Sequence, residues 1–229
     1  MHHLSTGLRF LPPRATWLER QASHPASPIL LLVPSMQNTL LGKRILVTQA
    51  SEFMGPAFCD VFTEQGADVV RSNEPLAVPE AAEQVVAEAG DIDVLVANLS
   101  ILAPSTPASD VQDEEWNRVF AALVDPLPRL TRAVVPHFVR RGSGKILVIG
   151  SASALRGMKR ASTYSAARGA QLAYVQAVGV ELAPKNIQVN AIAQNFVDNP
   201  TYFPPTVQAN PKFQERLARE VPLGRLVAA

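Results

Sequence analysis

The sequence predicts an α/β fold built on a doubly wound parallel sheet, in three layers, α/β/α. Two observations predict it. From residue 40 onward, short apolar runs alternate with longer stretches of helical character. All but the second of the short runs are nearly continuous and rich in β-branched and aliphatic residues, as in strands buried on both faces of a parallel sheet. Alternation of this kind implies right-handed crossovers.

The first strand is expected at Arg44–Thr48 and the first helix over 54–66, ended by Gly66. A second strand follows at Asp68–Arg71 and a helix over 78–89, ended by Gly90. The third strand is Asp93–Asn98. A long helix is expected over 113–140, opened by Asp113, Glu114 and Glu115, whose charges suit a helix N-terminus, and kinked by Pro126, Pro128 and Pro136. Strands at Lys145–Gly150 and Gln188–Ala193 flank a helix over 162–183. Only one short strand and one helix fit between residues 69 and 92, so the nucleotide-binding half of this Rossmann-like fold is expected to be shortened.

The 229 residues suit one domain with a large core, and 47% hydrophobic against 18% charged residues is a globular balance. A net charge of +1, with Lys and Arg scattered, argues against a nucleic-acid footprint. No apolar stretch approaches the roughly 18 residues of a membrane span. Cys59 is the sole cysteine and reads as a packed helix residue, which fits a cytoplasmic setting. Residues 1–39 are set apart by Pro12, Pro13, Pro25, Pro28 and Pro34, with Glu19 as their only acid. They are expected to be a disordered leader or the product of a start misplaced upstream of Met36, with organellar targeting by residues 1–35 as the alternative. The catalytic domain is then 40–229. Trp116 is expected to pack its helix against a neighbour. His137 beside Arg140 and Arg141 reads as solvated, and no metal site is expected.

The strongest chemical signal is Gly150–Arg168, GSASALRGMKRASTYSAAR. Ser151 follows a buried strand, and ligand crevices in open α/β sheets lie at the carboxyl ends of strands. Tyr164 and Arg168 fall four apart in a helix, hence on one face. A fixed positive charge beside a phenol favours the phenolate. Ser151 offers a hydrogen bond to a substrate oxygen.

This arrangement resembles the short-chain dehydrogenase/reductase superfamily over residues 40–227. The Ser–Tyr spacing, DIDVLVAN (91–98) and VPLGRL (221–226) carry the resemblance. Three positions depart from the family pattern. Arg168 replaces a lysine that binds the nicotinamide ribose. The glycine turn survives only as Thr48 and Gly55, with Gln49 and Phe53 at glycine positions. The helical asparagine of the dehydrogenases is replaced at about Leu123. These departures look like the halohydrin dehalogenases, a branch with a Ser–Tyr–Arg triad and an aromatic residue in the former glycine turn.

That resemblance implies Ser151, Tyr164 and Arg168 as the catalytic triad and no cofactor. It also implies a halide and substrate pocket formed by Phe53 and by the 193–205 loop, through Gln194, Asn195, Phe196, Val197, Tyr202 and Phe203. Partners would be a small halohydrin or epoxide and halide, with no nucleic acid or membrane, in a homo-tetramer or dimer. The family normally continues past the position of Ala229 with a further helix and strand, so the domain is expected to lack them and its assembly is in doubt. The rival reading is an NAD(P)-dependent dehydrogenase/reductase of a small alcohol or ketone, with Arg71 and Ser72 as a 2′-phosphate contact. A second rival is an inactive, truncated member.

Overall fold

In the computed structural model, which describes residues 38–229, five parallel strands run in the order β2-β1-β3-β4-β5. They are β1 (Arg44–Val47), β2 (Asp68–Arg71), β3 (Val94–Asn98), β4 (Gly144–Ile149) and β5 (Ile187–Ile192). Each expected strand is present within a residue or so at either end. The expectations for the leader lie outside the described residues, apart from its last two.

Period-two alternation sorts the strand side chains between two apolar clusters. Leu46, Leu95, Ala97, Ile146 and Val148 face one way, toward α2 (Ala81–Ala89), α3 (Asp113–Leu123), α4 (Pro126–Arg141) and α6 (Ser162–Leu182). Ile45, Val47, Val96 and Ile149 face the other, where α1 (Gly55–Glu64) contributes Cys59. Burial raises the Cys59 thiol pKa above its usual value, against the nearby Arg71 guanidinium. Strand β2 is an edge strand joined to β3 through α2 alone, as the short 69–92 spacing requires.

Two expectations need correction. Strand β5 is not buried on both faces: Gln188, Asn190 and Ile192 are exposed while Ile187 is buried. It is a sheet edge, and among the described residues no helix covers that side. The long 113–140 helix is two helices. Helix α3 ends at Leu123, the amides of Val124 and Asp125 both turn back to the Phe120 carbonyl, and Pro126 opens α4. Proline is tolerated in a first helical turn, where its missing N–H costs nothing, so Pro126 starts a helix instead of kinking one. Trp116 is exposed, and its ring stacks on Phe120 of its own helix at 4.4 Å. Short helices α5 (Ser153–Arg156), α7 (Pro205–Gln208) and α8 (Pro211–Glu220) complete the chain. Among the described residues no helix is long and apolar enough to cross a membrane.

Candidate active site

The turn after β1 keeps positive φ at two former glycine positions that now carry side chains. Gln49 has φ +43° and Phe53 φ +51°, in the left-handed region that costs a side-chain-bearing residue energy. Their side chains have partners that offset the cost. The Phe53 ring is buried and meets the Tyr202 ring edge-on at 5.0 Å. The Gln49 amide oxygen accepts the Ser100 N–H at 2.6 Å. Asn98, at the end of β3, donates to the carbonyls of Gln49 and Glu52 at 3.0 Å each and pins the turn.

Gly55, the surviving glycine, is required by packing. A Cβ there would collide with the Gln49 carbonyl oxygen and lie 2.6 Å from that of Ala50, both backbone atoms that cannot rotate away. Gly55→Ala is expected to destabilise the fold by about 1–3 kcal/mol, read as a lower denaturant midpoint with unchanged slope.

Strand β4 delivers Ser151 and helix α6 delivers Tyr164 and Arg168. The Ser151 hydroxyl oxygen accepts from the Ser153 amide at 3.2 Å and the Ser153 hydroxyl at 3.0 Å, so its own proton is free to donate. Helix α6 is tied to α3 near Tyr164: Glu115 accepts from Thr163 at 2.7 Å and from Thr106 at 2.5 Å. These two hydroxyls, Thr106 first, hold the Glu115 carboxyl below its usual range.

Arg168 is wholly buried. It donates to the Ile149 carbonyl at 3.0 Å and to Gln171 Oε1 at 2.9 Å, and its Nε has no partner. Its guanidinium lies 5.0 Å from the Tyr164 ring centroid and 5.7 Å from that of Phe53. Among the described residues no carboxylate pairs with it. Gln171 passes the contact on, donating to the carbonyl of Leu123 at 2.7 Å, at the position where the dehydrogenase asparagine is missing.

Tyr202 links Tyr164 and Arg168. Its hydroxyl donates to the Ile101 carbonyl at 2.7 Å, accepts from the Tyr164 hydroxyl at 3.2 Å, and meets Arg168 Nη2 at 3.5 Å. Burial, then the Tyr164 phenol, pushes the Tyr202 hydroxyl pKa far up, against the lowering effect of Arg168. Arg168 and Tyr164 are neighbours, as their spacing predicts, but the guanidinium reaches the phenol oxygen through Tyr202 and not directly.

These groups border one cavity of about 740 Å³. Ser151, Tyr164 and Phe53 line it, with Gln194, Asn195, Phe196 and Val197 from the segment after β5, and Tyr202 and Phe203 beyond. Arg168 alone of the expected site residues stands behind the wall. Phe196 has φ +50°, and its ring stacks on that of Phe203 at 6.0 Å. The amides of Asn195, Phe196 and Val197 donate to no protein acceptor among the described residues. Arg71 and Ser72 are not in this cavity: Arg71 bonds the Thr63 hydroxyl at 3.3 Å, and the Ser72 backbone pairs with Val47 and Ala50. Ser153, Gln171 and the Thr163–Glu115 tie escaped the sequence reading, because only the folded chain brings them to the site.

Fold and site together define a short-chain dehydrogenase/reductase, and a family model agrees. The model described as enoyl-(acyl carrier protein) reductase matches residues 42–229, and the chain belongs to that family within the superfamily. The 3-oxoacyl-[acyl-carrier-protein] reductase FabG of Escherichia coli is 26% identical over 82% of this chain and 75% of its own length. Among solved structures, a "dehalogenation enzyme" superposes with TM-score 0.77 at 30% identity, covering 82% of this chain and 86% of the other. A halohydrin dehalogenase bound to ethyl (2S)-oxiran-2-ylacetate gives 0.72 at 26%, covering 81% and 84%. A 3-ketoacyl-(acyl-carrier-protein) reductase of Brucella melitensis complexed with NADH gives 0.72 at 25%, covering 83% and 87%.

The last of these corrects the expectation that no cofactor is involved: a similar solved structure is complexed with NADH, and the sequence relatives are reductases and dehydrogenases. The turn after β1 is the place to test the fit. Its amides are already engaged, Ala50 with the Ser72 carbonyl, Ser51 with Asn73 Oδ1, Glu52 with the Gln49 carbonyl and Phe53 with Thr201 Oγ1. A pyrophosphate needs those donors, so this conformation of the turn does not fit one.

Proposed function

We propose that the protein converts vicinal halohydrins to epoxides with release of halide, and opens epoxides with small anions in reverse. One observation carries the reading. A phenol backed by a buried guanidinium, which no carboxylate pairs among the described residues, lines the same cavity as Asn195, Phe196 and Val197, three consecutive residues whose amides have no protein acceptor there and which lie beside phenyl rings. Successive free amides around a left-handed residue form an anion-binding concavity, and apolar walls suit a large, weakly hydrated halide. The likeness to two dehalogenating enzymes supports it.

In this reading Tyr164, as phenolate, takes the proton of the substrate hydroxyl, whose oxygen Ser151 holds with its free proton. The O–H bond breaks, the oxygen's electron pair forms a C–O bond to the neighbouring carbon, and the C–halogen bond breaks. The halide leaves with that bonding pair into the amides of Asn195, Phe196 and Val197. Tyr164 then returns its proton to solvent, so the net products are epoxide, halide and a proton. The displacement is intramolecular, which removes most of its entropic barrier. Tyr202, anchored on the Ile101 carbonyl, positions the Tyr164 hydroxyl, and the Arg168 guanidinium beside the Tyr164 ring supplies a positive charge.

A second reading, NAD(P)-dependent oxidoreduction of a small alcohol or ketone, is favoured by the reductase relatives. It shares Ser151 and Tyr164 and requires the turn at Gln49–Phe53 to release its amides. The deciding experiment follows halide release from a small vicinal bromo-alcohol, with and without added NADH and NADPH, together with consumption of either nucleotide on a ketone. Halide release supports the first reading. Nucleotide consumption with no halide release replaces it with the second.

A further inference from the structure

The cavity has a strongly asymmetric rim. Arg156, Lys159 and Arg160 line it from α5 and the loop leading to α6, and Arg216 and Arg219 line it from α8. Glu220 is the only acid among the residues that line it. Five cations face one anion, in a chain whose 21 Lys and Arg nearly balance 20 Asp and Glu. The concentration is local, and overall composition does not account for it.

The one acid does not neutralise the mouth. Glu220 accepts from Arg216 at 3.1 Å and from Arg219 at 3.3 Å, so its charge is shared between two guanidinium groups on its own helix. Arg160 is held by Ser105, through the hydroxyl at 3.3 Å and the carbonyl at 3.1 Å, neutral partners that fix its position and leave its charge. The side chains of Arg156 and Lys159 make no ion pair or hydrogen bond among the described residues. All five cations are exposed, whereas Tyr164 at the inner end is buried. Charge sits at the mouth and chemistry at the floor.

We infer that this cavity takes a substrate bearing an anionic group, a carboxylate or a phosphate, at the end remote from the reacting oxygen. The inference rests on the reading of Ser151 and Tyr164 as the oxygen-handling end. Like charges gathered around one cavity repel, and an anion bound among them relieves that repulsion. A low-dielectric cleft of one sign also focuses the field and raises the local concentration of the opposite charge. A cavity of about 740 Å³ has room for a substrate that spans from floor to mouth. The exposed cations are screened over about 8–10 Å at ordinary ionic strength, so the effect is strongest in dilute salt.

Titration calorimetry on the full chain tests this with three unreactive probes: 3-hydroxybutyrate, its neutral amide, and glycerol 3-phosphate. Each offers a hydroxyl to the floor, and two carry the charge for the mouth. At low salt, at least one anion is expected to bind about tenfold more tightly than the amide. The preference should fade at high salt and in the Arg156→Gln/Lys159→Gln double variant, and persist in Lys185→Gln, whose residue does not line the cavity. Tight binding of 3-hydroxybutyrate alone assigns a carboxylate, and of glycerol 3-phosphate alone a phosphate. Equal binding of amide and anions overturns the inference. So does a preference that survives in a double variant with wild-type thermal unfolding, or no anion binding by a folded wild type. No halohydrin is present, so a failed halide-release assay leaves this result standing.

Discussion

Tyr164→Phe is expected to lower halide release between about 10²- and 10⁴-fold while leaving the fold intact. The variant keeps the ring, which is buried and lies 5.0 Å from the Arg168 guanidinium, and removes one oxygen. The lost contact is a 3.2 Å hydrogen bond to Tyr202, whose hydroxyl still donates to the Ile101 carbonyl. No buried donor is stranded by the change, so stability should move by no more than about 1 kcal/mol. Turnover and thermal unfolding measured on one preparation check both halves. Activity within a fewfold of wild type would remove Tyr164 as the base and would count equally against the dehalogenase and reductase readings. A large loss of stability would show that the phenol has a structural duty that the contacts do not reveal.

The sheet was largely legible because buried parallel strands write themselves as apolar runs. IleLeuVal at 45–47 and LeuValAla at 95–97 admit little else, and Gly66 and Gly90, just past α1 and α2, do take the positive φ that suits glycine there. Strand β5 misled because Gln188 and Asn190 interrupt its apolar residues at alternate positions, a pattern of one buried face that an edge strand satisfies. The break at Val124–Asp125 was hidden by continuous helical periodicity across Pro126, which is compatible with either a kink or a fresh start. The site divides in the same way. Ser151, Tyr164 and Arg168 lie within one local motif, so spacing places them together. Tyr202 was expected as a pocket wall, and it does line the cavity. Its hydroxyl bridge to Tyr164 and to Ile101, 101 residues away, is a long-range fact that no local pattern encodes. Gln171 and Ser153 act through partners that only the fold supplies.

Arg168→Met should separate catalytic from structural burial. Arginine is rarely wholly buried without an acidic partner, because an uncompensated ion in a low-dielectric interior costs several kcal/mol. Here the guanidinium has a carbonyl, an amide oxygen and two aromatic faces, and one nitrogen has nothing. Methionine fills a similar volume and removes both the charge and the orphaned Nε. It also strands the Ile149 carbonyl contact and Gln171 Oε1, a penalty of about 1–3 kcal/mol for each group left unpaired. These opposing terms are of similar size, so stability is expected to change by less than about 3 kcal/mol. Activity, which needs the charge, should fall by about 10²–10³-fold.

A second measurement addresses the charge itself. A buried cation without a counter-ion gains most from an anion in the adjoining cavity, and a ligand that binds only the folded state raises its melting temperature. Wild type should therefore melt higher in sodium bromide than in sodium fluoride at equal ionic strength, and the difference should disappear in Arg168→Met. A variant that keeps its activity, or a bromide effect that survives the substitution, would mean that Arg168 neither supports the phenolate nor draws the halide. The charge would then have to be explained by the packing of α6 alone.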